Sequence, residues 1–348
     1  MAEQETEVQR ESDTSSDTIW LEDVRYTNLS NPDFSWDTTV LIDDIPCTLH
    51  LFSESVSKDY EGISTYIKDG KLHAQKHIGP NSLFQFELYD AQDNIIVQNS
   101  WDKYELESYI AVDLLAGSRG DRWAFGGYHE EFGQFLIHTR WMFEDSDVGE
   151  EYMLFLDDDL KIKDFFLDSY TGGGACQCGI EPSNDGKTFA FCSRIQRSNG
   201  KHTNLLNEGK EIAGSFVLND EYCLVIEMFE GKPPYKNAKL INNRGVVAKT
   251  FDYTGISQAL GYIISKFEVK DQDATFLLDH QKRCLFRIDL NNPLKIDRID
   301  IDAMEKMPEG EVLDRSDSTY LEVSSEGKDF YFQYSNGSFR YYGESAGH

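Results

Sequence analysis

The chain has 348 residues, enough for a full core, and its 22 Phe, 18 Tyr and 5 Trp exclude wholesale disorder. Its 62 acidic against 33 basic residues give a formal charge of -29, which argues against direct nucleic-acid binding, because phosphates require a basic footprint. Such a surplus either keeps a chain in solution or presents a face to a basic protein partner, such as a nucleic-acid-binding enzyme or a toxin.

The first eighteen residues, "MAEQETEVQRESDTSSDT", lack the basic and apolar regions of a secretory signal and read as an acidic disordered tail over 1–18. No later run has the length and apolarity of a membrane helix, so a cytoplasmic location is expected. From Ile19 the order predicts a small α+β module over 19–118. "TVLIDDIPCTLHLF" reads as a hairpin about an Asp-Asp turn. Val56, Tyr60, Ile63 and Ile67 then recur at spacings of four, three and four, which predicts a helix. "SLFQFELYDAQDNIIVQNSW" returns to strand, turn and strand, and "KYELESYIAVDLL" is compatible with a second helix.

On the residues "WDTTVLIDDIPCTLHLF" the module resembles small bacterial domains of the pattern Trp-x-x-x-Val-x-Ile-x-Gly-x-x-Val. Those domains occur near polymorphic-toxin loci as immunity proteins. Here Asp43 and Asp44 stand in the turn where that pattern favours glycine.

Beyond residue 118 one unit recurs: a short β run, a polar turn, then an apolar β run. It appears in "WAFGGYHEEFGQFLIHT", "CGIEPSNDGKTFAFCS", "GSFVLNDEYCLVIEM", "SKFEVKDQDATFLLD" and "TYLEVSSEGKDFYFQY". Tighter hairpins alternate with it, such as "YMLFLDDDLKIKDFF" and "NAKLINNRGVVAKTF". The turns are spaced by about 35 to 55 residues, near the blade length of propellers. Residues 119–343 therefore resemble the irregular β-propeller class, without Trp-Asp blade endings or kelch-type glycine pairs. The predicted fold is mainly β, a propeller-like domain behind the α+β module, with a β-sandwich as the alternative. "SNGSFRYYG" reads as a last strand that closes the ring against an early one, with 344–348 as a tail.

The stretch "YTGGGACQCGIEPSNDGKTFAFC" (170–192) looks most like a chemical site. It is not a phosphate loop, because Gly186-Lys187-Thr188 leads into a strand and not a helix. Cys176-x-Cys178 with Cys192 and His202 fits no common zinc spacing, so buried reduced thiols are expected, with no metal or cofactor. Gly172–Gly174 read as a loop entering an inner strand. The triplet Asp157–Asp159 lacks the spacing of a calcium loop and reads as a solvated turn. His129-Glu130-Glu131 lacks the second histidine of a zinc protease. No catalytic residue can be assigned. The expected function is protein binding through acidic turns and loop aromatics, carried by Trp123, Tyr128, Glu130, Glu131, Asp157, Asp158, Asp159 and Tyr235, with a basic toxin or nuclease as the sharpest form of partner. The alternative is a glycoside-type hydrolase with carboxylates in a propeller funnel.

Overall fold

Short β-rich runs broken by Asp, Asn and Gly fold into hairpins, and the hairpins add up to sheets. The structure is a computed structural model that describes residues 18–26, 34–118, 120, 122–143, 146–171, 176–206, 211–229, 231–257, 261–269, 272–306, 320–335 and 337–346. Gly172–Gly174, and the tail apart from Thr18, lie outside them.

The fold is mainly β and propeller-like, a succession of small up-and-down sheets in chain order. The first contains Phe34–Ile42, Ile45–Lys68, Lys71–Tyr89 and Ile95–Asp102, with Ile19–Trp20 and Val24–Arg25 parallel to the third of these. The second contains Arg122–His129, Gln134–Met142, Gly149–Leu156 and Ile162–Thr171. The third has three strands, Thr188–Ala190, Arg194–Arg197 and His202–Asn204. The fourth contains Ile212–Val217, Tyr222–Glu227, Ala238–Asn242 and Val247–Phe251, with Gln177–Cys178 added in parallel at its edge. The fifth contains Lys266–Glu268, Ala274–Asp279, Cys284–Asp289 and Ile296–Asp300. The sixth contains Tyr320–Ser325, Lys328–Ser335 and Ser338–Ala346, with Glu305–Lys306 parallel to the last.

The apolar faces meet between consecutive sheets. Leu49, Leu51, Phe84 and Phe86 of the first sheet pack with Trp123, Trp141, Tyr152 and Phe165 of the second. Phe155 of the second meets Phe189 and Phe191 beside the third. Ile195 of the third meets Val225 of the fourth, Leu240 of the fourth meets Phe286 of the fifth, and Phe276 of the fifth meets Phe330 and Phe339 of the sixth. The first of these clusters runs straight across residue 118, where the sequence suggests a module boundary.

Three expectations are corrected. Val56 to Ile67 is not a helix but the outer half of the strand Ile45–Lys68, paired with Lys71–Tyr89 through a tight turn at Asp69 (φ 52°) and Gly70 (φ 75°). A register shift between Val56 and Tyr60 breaks the two-residue alternation. Tyr60 is thereby buried while Ile63 and Ile67 face outward, so the helix-like spacing corresponds to no common face. In "KYELESYIAVDLL" only Val112–Gly117 is helical, burying Leu114, Leu115 and Ala116. The last strand pairs within its own sheet, with no pairing to an early strand among the described residues, and it extends through residues 344–346 of the expected tail.

Two close approaches fix the first sheet. A Cβ added at Gly79 would lie 1.9 Å from the carbonyl oxygen of Ala116, a backbone atom with nowhere to go. Gly79→Ala is expected to destabilise the protein by about 2–3 kcal/mol, read from urea unfolding midpoints. Lys103 is fully buried and donates from Nζ to the carbonyls of Pro80 (2.7 Å) and Ser118 (2.7 Å). Burial lowers its pKa from 10.5 to about 7. Below that value both folded and unfolded chains hold the proton. Above it the unfolded chain holds more, so stability rises with pH up to the ordinary lysine range. Urea titrations of wild type and Lys103→Met should differ in slope between pH 7 and 10, with the variant flatter.

Candidate functional site

In an up-and-down sheet alternate turns fall at the same end. The hairpin turns at 43–44 and 130–133, and the Asp157–Leu160 turn, therefore share an end, and all are acidic. Asp43 (φ 50°) and Asp44 (φ 63°) adopt the left-handed pair of a tight hairpin, where a short polar side chain substitutes for glycine.

A surface groove of about 560 Å³ opens beside the 130–133 turn, between the end of the strand Phe34–Ile42 and the turn at 184–186, lined by Tyr128, Glu130, Glu131, Leu41, Asn184 and Asp185 among others. The turns touch in sequence around the rim. Tyr128 Oη donates to Asp158 Oδ1 (3.2 Å), and Gly186 sits against the Glu131 side chain. The backbone N–H of Asp185 donates to Asp220 Oδ1 (2.9 Å), and that of Asn243 to the Glu221 carbonyl (2.8 Å). Asn219 Nδ2 reaches the Leu290 carbonyl (2.6 Å), which carries the rim on to the fifth sheet.

Of the eight residues singled out in the sequence, Tyr128, Glu130, Glu131 and Asp158 come together here. Asp157 and Asp159 share the turn but have cations of their own: Lys163 Nζ lies 3.2 Å from Asp157 and Lys161 Nζ 2.9 Å from Asp159. Burial pushes the Asp157 carboxyl up, but the N–H of Lys161 and the Lys163 ammonium outweigh it and hold its pKa below the usual range. Trp123 does not belong to the surface. It is 8% exposed, packs against Phe84 at 5.1 Å between ring centroids, and donates its indole N–H to the Gly120 carbonyl. It is a core residue because its strand turns that face towards the first sheet. Tyr235 is half-buried and stacked on Phe229 at 4.2 Å, in the connection between the second and third strands of the fourth sheet, at the end opposite the rim. Asp43, Asp185 and Asp220 join the rim without having been singled out. Their signal was the recurrence of an acidic turn at one position of each repeat. His129 donates from Nε2 to the Gly126 carbonyl (3.2 Å) and packs edge-on to Phe189, in keeping with a structural histidine.

The glycine- and cysteine-rich stretch forms a second cluster. Cys176 and Cys192 are joined in a disulfide with Cα atoms 6.1 Å apart, which corrects the expectation of reduced thiols throughout. The sixteen-residue span brings Cys176 back to the turn after Phe191, a closure that the adjacent Cys-x-Cys spacing does not reveal. Cys178 keeps its thiol and donates it to Asp168 Oδ2 (3.5 Å). Asp168, 1% exposed, also accepts from the N–H (3.0 Å) and hydroxyl (3.2 Å) of Ser193. Burial nevertheless raises its pKa, and burial together with the Asp168 charge raises that of Cys178 well above the ordinary thiol value. Nearby, Glu151 bonds Arg140, Ser169 and His138. Burial opposes its ionisation, but these three hold its pKa at about 2. Gly186 (φ 70°) is the turn glycine and Thr188 opens a strand, so Lys187 is no phosphate-loop lysine.

No protein-family model and no curated protein matches the chain. Among solved structures it is similar to KlHsv2 with loop 6CD replaced by a Gly-Ser linker, at 8% identity and a TM-score of 0.30, over 86% of this chain and 95% of that one. Hsv2 of Kluyveromyces marxianus aligns over 91% of this chain and 99% of its own at 10% identity and a TM-score of 0.31. Kluyveromyces lactis Hsv2 with its complete loop 6CD aligns over 86% and 95% at 10% identity and a TM-score of 0.31. So loose a superposition carries no argument about this chain. Among the described residues no helix is long and apolar enough to cross a membrane.

The groove's electrostatics are open to direct measurement. Burial, and then the charge of Asp158, push the Tyr128 hydroxyl up to about 12. Ultraviolet titration of the phenolate in Asp158→Asn should show one tyrosine ionising at lower pH than in the wild type, shifted towards 10.

Proposed function

We propose that the protein is a non-enzymatic binding module that receives a basic protein partner on its acidic rim. The observation that carries the reading is the gathering of Tyr128, Glu130, Glu131, Asp158 and Asp185 about one groove. Carboxylates so placed attract a cationic surface from a distance and speed its arrival, while Tyr128 supplies an aromatic contact at the centre. Neutralisation of a basic toxin or nuclease is the sharpest form of this reading. It draws on the overall charge and on the resemblance of residues 36–52 to immunity domains.

The test begins with capture from the native host's lysate at low and moderate salt, followed by binding kinetics with the recovered protein. Charge reversal at Glu130, Glu131 and Asp158 should slow association at low salt by about tenfold or more. Reversal at the exposed Glu22, Asp23 and Glu54, away from the groove, should leave it nearly unchanged. Failure to recover any basic partner, or equal effects of the two reversals, would sink the reading.

A further inference from the structure

The cluster at Asp168 has more ligating atoms than a disulfide uses. The Sγ atoms of Cys178 and Cys192 and a carboxylate oxygen of Asp168 all lie within 4.8 Å of one another. Cys176 Sγ lies outside that trio but is bonded to Cys192 Sγ, so reduction would free a fourth thiol at its edge. A tetrahedral zinc ion with bonds of about 2.0–2.3 Å holds its ligand atoms roughly 3.3–3.8 Å apart, so Asp168, Cys178 and Cys192 need only a small contraction, while the Cys176 and Cys192 sulfurs must part and Cys176 must swing in once the disulfide is reduced.

The donors come from three separate elements. Asp168 is on the last strand of the second sheet, Cys192 on the turn between the first two strands of the third, and Cys176 and Cys178 on the chain that joins the edge of the fourth. Ser193 already orients the carboxylate through its N–H and hydroxyl, the kind of outer support a metal-binding carboxylate requires. A counter-charge is at hand in Arg194. Its guanidinium pairs with Asp164 and lies over the Phe166 ring, while its buried Nε has no hydrogen-bond partner among the described residues.

We propose that reduction of the Cys176–Cys192 disulfide converts this cluster into a tetrahedral site for a divalent ion of the zinc class, with Cys176, Cys178, Cys192 and Asp168 as ligands. Two molecules of a thiol reductant deliver two electrons and two protons to the S–S bond and leave as their own disulfide. The ion then displaces the protons of three thiols, which pass to solvent, and the ionised Asp168 supplies the fourth bond. Three thiolates and one carboxylate select zinc or cobalt over calcium and magnesium, which require oxygen donors. The site is therefore closed by oxidation and opened by reduction. This inference is independent of the partner-binding reading.

The full chain, reduced with a phosphine under anaerobic conditions and desalted, is titrated with Co²⁺ alone and then with Zn²⁺. Alkylation and intact mass report whether the disulfide has opened. The expected result is one cobalt per reduced chain, with thiolate charge-transfer absorption and tetrahedral d–d bands that zinc removes, and none in the oxidised chain. Cys178→Ser and Asp168→Asn should each weaken zinc binding by about tenfold or more, whereas Cys223→Ser and Cys284→Ser, at buried thiols elsewhere, should not. The wild-type comparison of the two redox states requires no variant to fold. Absence of thiolate–cobalt bands in the reduced wild type would overturn the proposal, as would zinc affinity unchanged in Cys178→Ser, equal binding in both redox states, or a disulfide that resists excess phosphine.

Discussion

Every sheet in this chain depends on burying its faces against the sheets before and after it. Each is too small to form a core of its own, and the five buried clusters lie at the junctions between consecutive sheets. Burial of a large apolar side chain contributes roughly 1.5–3 kcal/mol, so a junction such as Phe84, Trp123 and Trp141 outweighs any hydrogen bond at its margin. The constraint orders everything else. Strands must alternate so that both faces of a sheet find neighbours, and the charged surplus is left to turns and exposed edges, while the few buried charges such as Lys103 and Asp168 are hydrogen-bonded.

The acidic rim follows from that division. With the sheet faces committed to packing, the surplus of carboxylates has only turns, edges and outer strands to occupy, and up-and-down connectivity delivers alternate turns to the same end. Asp43, Glu130, Asp158, Asp185 and Asp220 are distant in sequence, yet the topology brings them along one edge of the molecule. Their mutual repulsion is relieved locally: Lys161 and Lys163, just after the Asp157–Leu160 turn, pair with Asp159 and Asp157, and backbone N–H groups point at Asp157 and Asp220.

What the sequence made legible was what repeats. The alternation of apolar and polar residues with acidic turns every few tens of residues gave the mainly β, propeller-like class, and the turn reading of Asp157–Asp159 rested on the same periodicity. The outer half of the strand Ile45–Lys68 was hidden because a bulge between Val56 and Tyr60 shifts its parity, leaving apolar residues at spacings that imitate a helix. Trp123 was misplaced because a loop-like "DRWAFGGY" does not reveal which face of the ensuing strand is turned inward. The link between Cys176 and Cys192, and the meeting of Asp168 with Cys178, are tertiary facts, set by how the second, third and fourth sheets lie together. Their one trace was a lone aspartate in the apolar run "FFLDSY".

The disulfide also sets how far the chain can be drawn out. Tension applied along the polypeptide passes through the bond between Cys176 and Cys192 and bypasses the residues between them, so the oxidised chain has a contour length shorter by roughly 50 Å. The segment held in reserve includes the edge strand Gln177–Cys178 and the Thr188–Ala190 strand. Oxidation thus keeps the join between the third and fourth sheets slack while their neighbours come under load.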